Sequence, residues 1–351
     1  MKALRLLGPR RLEVDEIPPP AEPGPNELLL ANRLCGICGT DLHEYAEPKL
    51  VTSAPHALTG AHMPQILGHE FSAEVVAAGA AVRAAGVGDR VCVMPLFFCG
   101  GCSACRAGRQ QCCSTLGAVG YNWPWGGMAE YALVADHQVT RLPDDMTDVQ
   151  GALVEPTAVA VHAVSSAPVR VGDTVLVTGA GPIGQLVSLA ALAAGASAVY
   201  LSEPNPRRRQ RAERLGLTDV FDPQGTDVVA QLRDELGDGV DVAVECAGNP
   251  HALRACIDAA RPGGTVVQTA LHPAPVQIDP TRLTLRDVML KGVNCFPVGS
   301  WPRVIRLIAS GRLPAQTIVT GEVALEHAID DGFHALLDSQ SDHIKILVAP
   351  G

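Results

Sequence analysis

The sequence predicts an α/β protein of about two domains, a β-rich first part followed by a parallel sheet covered by helices. Three observations predict it. The chain has 351 residues, more than one ordinary core accommodates. In the first part, short apolar runs (ELLLANRL, FSAEVVAAG, DRVCVMP, MAEYALV) are separated by Gly, Pro and Asp turns, the pattern of short strands. Beyond Glu155, strand-like and helix-like segments alternate, the pattern of a parallel sheet with helical crossovers.

The elements follow in order. PPPAEPGPNE reads as a stiff surface connection. EPTAVAVHAVSSA opens the second part as a helix, with Pro156 suited to its first turn. DTVLVTG is a strand, PIGQLVSLAALAA a helix stopped by Gly195, AVYLSE a strand and PRRRQRAERL a helix stopped by Gly216. VVAQLRDEL (helix), VDVAVECAG (strand), HALRACIDAA (helix) and GTVVQTAL (strand) come next, and DVMLKGVNCF closes the sheet. From Pro297 the pattern blurs into a helix, PRVIRLIAS, and short strands ending in HIKILVAP. The expected divisions are 1–155, 156–295 and a C-terminal segment 296–351.

Composition narrows the partners. Hydrophobic residues make up 47% and charged residues 18%, with a net charge of -10. That disfavours nucleic acid or an anionic membrane surface, because either needs a basic patch. The N-terminus does not read as a signal peptide, since its short apolar run breaks at Gly8-Pro9-Arg10-Arg11. LVSLAALAAGASAVYL is interrupted by Gly195 and Ser197 and reads as a buried helix followed by a strand. The expected compartment is a reducing cytoplasm, where clustered cysteines are metal ligands or catalytic groups more often than disulfides.

VTGAGPIG places Gly179, Gly181 and Gly184 in a G-x-G-x-x-G pattern, with Pro182 and Ile183 opening the helix. The pattern follows a strand and precedes a helix, the setting in which a dinucleotide pyrophosphate rests on a helix N-terminus. Glu203 ends the next strand, where a carboxylate accepts hydrogen bonds from ribose hydroxyls and repels a 2'-phosphate. Arg207, Arg208 and Arg209 pull the other way, but they fall inside a helix, so NAD is the expected cofactor.

Cys99, Cys102, Cys105 and Cys113 form C-x2-C-x2-C-x7-C, within the loop 99–113. Four thiolates on one Gly-rich loop suit a closed, structural zinc site. An iron–sulfur cluster fits less well, because its usual run has a short last gap followed by Pro. Cys112 is read as a bystander beside Cys113.

GICGTD around Cys38, LGHEFSAEVV around His69 and Glu70, GDRV, the cysteine loop, GGMAEY, ALVEPTAVAVHA around Glu155 and VTGAGPIG resemble, in order and spacing, the zinc-dependent medium-chain dehydrogenases. The polyol branch, with its sorbitol and butanediol dehydrogenases, looks most similar. The resemblance implies a GroES-like catalytic domain, a doubly wound Rossmann domain binding NAD, and a C-terminal tail rejoining the first domain. It also implies a catalytic zinc held by Cys38 and His69, with carboxylates from Glu70 and Glu155, one binding directly and the other through water. A bare structural reading of Glu155, as a cap on the helix beginning at Pro156, stays open. So does the order of the two carboxylates: His69 and Glu70 are adjacent, and in an extended strand they would point to opposite sides.

Zinc with an open position is a Lewis acid toward an alcohol oxygen, and nicotinamide accepts the hydride. The resemblance assigns proton release to the Thr40 hydroxyl and then to His43, since a histidine titrates close to neutrality. Tyr45, Tyr121, Trp123 and Phe296 are candidates for an aromatic wall around a small secondary alcohol. A vicinal diol or its hydroxyketone is the expected substrate, with a polyol or amino alcohol as the alternative. A silent dinucleotide-binding protein is the reading from another class, and it need not retain Cys38, His69, Glu155 and Thr40 together. The family implies a homodimer or homotetramer.

Overall fold

The computed structural model describes residues 1–351. The chain divides into two compact units: Met1–Glu155 with Pro297–Ser310 and Val319–Gly351, and Pro156–Phe296 with Gly311–Ile318. The sequence reading placed all of 296–351 in a C-terminal segment. Phe296 and Gly311–Ile318 belong instead to the second unit. Leu313, Ala315 and Ile318 are buried there, and the 3-10 turn Ala315–Ile318 packs on the helix Pro182–Ala194.

In the first unit, the strand Glu27–Gly36 is the centre of a seven-stranded sheet. It pairs antiparallel with Glu70–Ala78, Tyr131–Ala135 and the last strand of the chain, Lys345–Ala349. Its alternating Leu28, Leu30 and Leu34 are buried, with Phe71, Val75, Val134, Ile346 and Val348 from its neighbours. Such alternation is what a sheet with one covered face requires. The register sets Gly36 opposite both Glu70 and Leu347, so three distant segments meet at the end of the central strand.

The second unit holds six parallel strands in the order Asp219–Phe221, Ala198–Ser202, Thr174–Thr178, Val240–Glu245, Ala260–Gln268, Met289–Gly292. This is the doubly wound order whose topological switch lies beside the first strand, Thr174–Thr178. Val175, Leu176, Val177, Val199, Leu201 and Val242 are buried, as strands covered on both faces must be. The helix Pro182–Ala194 starts with Pro at its first turn and ends where Gly195 adopts φ 102°. No helix is long and apolar enough to cross a membrane.

Candidate metal centres and dinucleotide loop

Cys38 sits directly after the central strand and caps the helix Gly39–Ala46; its backbone N–H donates to Asp41 Oδ2 at 2.8 Å. That helix also carries Thr40 and His43, three residues apart and therefore neighbours on its surface. Thr40 is half-buried and His43 exposed.

His69 and Glu70 reach the same place because the chain bends before them. The strand begins only at Glu70, so His69 lies outside the ladder, and Gly68 just upstream has φ 99°. No side chain fits at that position: a Cβ on Gly68 would lie 2.6 Å from Cys35 Sγ and 2.8 Å from the Met128 nitrogen. The bend frees two adjacent residues from the opposite facing that an extended strand would impose. Donor atoms of Cys38, His69 and Glu70 lie within 4.8 Å of one another.

The surroundings are charged and dry. Lys345, from the last strand, donates to both oxygens of Glu70 at 2.7 and 3.0 Å and to the Ile37 carbonyl at 2.9 Å. Both side chains are 1% exposed. Burial opposes the Lys345 charge, but Glu70 and then Cys38 outweigh it and raise its pKa. Asp41 is fully buried and accepts the Tyr121 hydroxyl at 2.9 Å, while the Tyr121 ring lies 4.8 Å from the His69 ring. His69 Nδ1 is buried, without a hydrogen-bond partner, and 3.7 Å from Asp41 Oδ1. Nδ1 therefore faces the carboxylate, and Nε2 is the nitrogen left for an ion, the usual arrangement of a metal-bound histidine and its carboxylate. Burial works against protonation of His69, yet Asp41 and Cys38 outweigh it and raise the pKa.

Glu155, at the start of the helix Val154–Ser166, is buried but is not one of the three tightly grouped donors. Burial pushes its carboxyl up to about 7, with His69 and Lys345 pulling it down and Glu70 and Asp41 pushing it up. Thiol, imidazole and carboxylate donors gathered in a dry pocket, with the second imidazole nitrogen turned toward a carboxylate, fit a zinc ion.

The sulfur atoms of Cys99, Cys102, Cys105 and Cys113 also lie within 4.8 Å of one another, and Cys112 is not among them. Backbone N–H groups of Cys99, Cys102 and Cys105 donate to the sulfurs of Cys113, Cys99 and Cys102 at 3.3, 3.3 and 3.5 Å. Backbone hydrogen bonds from Cys105 and Ser114 lower the Cys102 thiol to about 6. Four sulfurs with N–H groups turned toward them fit a closed zinc site.

In the second unit, Gly184 packs so closely on the loop that a Cβ would meet the Gly179 carbonyl at 1.8 Å, which requires glycine. Gly179, Gly181, Pro182 and Ile183 complete the loop and first helical turn. Glu203 is buried at the tip of its strand. Its Oε2 accepts the Ala180 N–H and its Oε1 the Asn205 N–H, both at 2.8 Å. One lone pair on each oxygen remains for a ribose hydroxyl. Arg209 is already spent on the Glu203 and Pro204 carbonyls and on Asp222 at 3.0 Å.

Several readings from the sequence change here. Lys345 and Asp41 were missed as site residues. The signal for Lys345 was a lone charge inside the apolar run HIKILVA, since lysine is almost never buried without a partner. Among the candidate wall residues, Phe296 is fully buried, Tyr45 bonds His334 at 3.2 Å, and Trp123 donates to the Leu133 carbonyl at 2.8 Å. Tyr121 supports the metal centre through Asp41.

Comparison with known proteins agrees with this geometry. The alcohol dehydrogenase GroES-like domain family matches residues 24–144, and the zinc-binding dehydrogenase family matches residues 182–310. The chain is 38% identical to (R,R)-butanediol dehydrogenase of Bacillus subtilis across 100% of both sequences. The solved structure of 2R,3R-butanediol dehydrogenase from that organism superposes with a TM-score of 0.94 at 37% identity, over 100% of this chain and 99% of the other. L-threonine 3-dehydrogenase of Pyrococcus abyssi is 36% identical over 91% of this chain and 89% of its own length. A putative zinc-binding dehydrogenase from Sinorhizobium meliloti, solved with NADP, gives a TM-score of 0.90 at 35% identity over 99% of each chain. With its GroES-like and Rossmann units, the chain belongs to the zinc-dependent, NAD(P)-dependent alcohol dehydrogenase family.

Proposed function

We propose that this protein interconverts a vicinal diol, of the size of 2,3-butanediol, and its hydroxyketone, with NAD as hydride acceptor. The observation that carries the chemistry is the convergence of Cys38, His69 and Glu70 within 4.8 Å, one helix turn from Thr40 and His43. The substrate class rests on full-length similarity to butanediol dehydrogenase. When bound, zinc supplies Lewis acidity toward the alcohol oxygen and NAD accepts the hydride.

The chain's own residues do the rest. Cys38, His69 and Glu70 would hold the ion, and Lys345 fixes Glu70 in place. Glu155 is buried in the same surroundings and, as a carboxylate, would accept a hydrogen bond from a substrate hydroxyl. Thr40 takes the substrate hydroxyl proton into a hydrogen bond, and exposed His43 passes it to solvent. Glu203 favours NAD over NADP, because a buried carboxylate repels a 2'-phosphate. The edge strand Met289–Gly292, with Met289 and Leu285 exposed nearby, suits pairing with a second copy in a homodimer or homotetramer. A reducing cytoplasm keeps the zinc-binding cysteines as thiols.

The test is NADH absorbance with 2,3-butanediol, sorbitol and threonine, before and after chelation. Butanediol should give the highest kcat/KM, and chelation should remove the signal. A higher kcat/KM for threonine or sorbitol would overturn the substrate class, and no turnover of any would overturn the activity. His43→Gln should slow oxidation mainly at low pH, where hydroxide cannot replace the lost base. An unchanged pH profile would count against the relay.

A further inference from the structure

The second unit contains a carboxylate–imidazole pair, its carboxylate fully buried, that the chemistry above leaves unused. Glu245 ends the strand Val240–Glu245 and is fully buried. Its Oε1 accepts the N–H groups of Ala247 and Gly248 at 2.8 and 2.7 Å, so it holds the turn 246–248. Its Oε2 lies 3.2 Å from Nε2 of His272, which follows the neighbouring strand Ala260–Gln268. The Glu245 carbonyl also accepts the Thr269 N–H and hydroxyl at 3.0 and 2.6 Å. An ionised carboxylate only accepts hydrogen bonds, so Nε2 is the donor. The other ring nitrogen, Nδ1, is buried and has no partner. A buried polar atom without a partner costs stability, which makes it a candidate contact for a ligand.

Topology says which ligand. Glu203 ends the strand on one side of Thr174–Thr178, and Glu245 ends the strand on the other. A dinucleotide lies across the C-terminal ends of such a sheet, at the switch point. With its adenosine ribose at Glu203 and its pyrophosphate on the glycine loop, its nicotinamide half lies on the Glu245 side. The 246–248 turn abuts that loop: a Cβ on Gly179 would lie 3.1 Å from Ala247. It also abuts the His272 segment, since a Cβ on Gly248 would lie 2.8 Å from the Leu271 carbonyl.

We propose that His272, oriented by Glu245, binds the nicotinamide-ribose half of the cofactor, with Nδ1 accepting a hydrogen bond from a hydroxyl or amide of that half. The proposal rests on the dinucleotide placement above. It makes Glu245 a positioning residue: it orients the histidine and anchors the turn between it and the glycine loop.

The test is binding, not turnover. NADH is titrated by the fluorescence of its nicotinamide ring, and ADP, which lacks that half, by calorimetry. In His272→Leu the NADH Kd should rise about tenfold while that of ADP changes by less than about twofold. His272→Gln, whose amide both donates to Glu245 and offers an acceptor, should recover most of the loss. Unchanged NADH affinity, parallel weakening of NADH and ADP, or a Gln variant no better than Leu would overturn the proposal. Unmodified protein that binds neither NADH nor ADP would overturn the dinucleotide placement itself.

Discussion

Cys38→Ser should lower turnover by roughly a thousandfold or more, the change for about 4 kcal/mol of lost transition-state stabilisation. Serine is smaller and not ionised at neutral pH, so the group of three donors loses its only sulfur. Metal content should fall from two ions per chain to one, because the Cys99, Cys102, Cys105 and Cys113 site is built from a different loop. Cys38 is only half-buried, at a helix N-cap, where serine is also accepted. The Gly39–Ala46 helix should therefore persist. NADH affinity should stay within about twofold, since the glycine loop and Glu203 lie in the second unit. Parallel measurement of zinc content, NADH titration and kcat separates these effects. Retained turnover with one zinc lost would show that the Cys38 centre is not where the reaction occurs, and loss of NADH binding would show that the two sites are not independent.

The parts of this architecture that were legible in the sequence share one property: their signals are local. Alternating strands and helices announce themselves by period and by stop residues such as Gly195 and Gly216. The cysteine loop packs four clustered cysteines into fifteen residues, and the glycine loop needs only a strand before it and a helix after it. The candidate metal centre at Cys38 is different. Cys38, His69 and Glu70 could be linked only through family resemblance, because their convergence depends on the strand register that sets Glu70 opposite Gly36. The bend at Gly68 resolves how His69 and Glu70 face one pocket, and a backbone φ is not written in residue order. Glu203 shows the same limit. Its strand-tip position was readable, but its two bonds to the Ala180 and Asn205 amides depend on how the adjoining turns close.

Lys345→Met should be the most destabilising single change near the site, costing about 3–5 kcal/mol, on the order of 10 °C in the melting midpoint. Lys345 lies 275 residues from Glu70 in sequence, yet the two form a buried pair with almost no solvent contact. Methionine matches the length of the lysine stem, so packing is largely conserved and the main loss is charge. Glu70 would then remain as a buried carboxylate stripped of its counter-ion, and the Ile37 carbonyl would lose a donor. That penalty comes from the survivor, not from the pair. Breaking a buried ion pair is costly, whereas replacing both members by neutral groups is often close to neutral. The double variant Glu70→Gln/Lys345→Met should therefore be more stable than Lys345→Met alone, a coupling that two independent surface changes would not show. Both should be measured in metal-free protein, because an ion beside Glu70 would replace part of the missing positive charge. A loss below about 1 kcal/mol for Lys345→Met, or a double variant no better than the single one, would mean that Glu70 finds another partner and that the last strand does not set the charge of the metal centre.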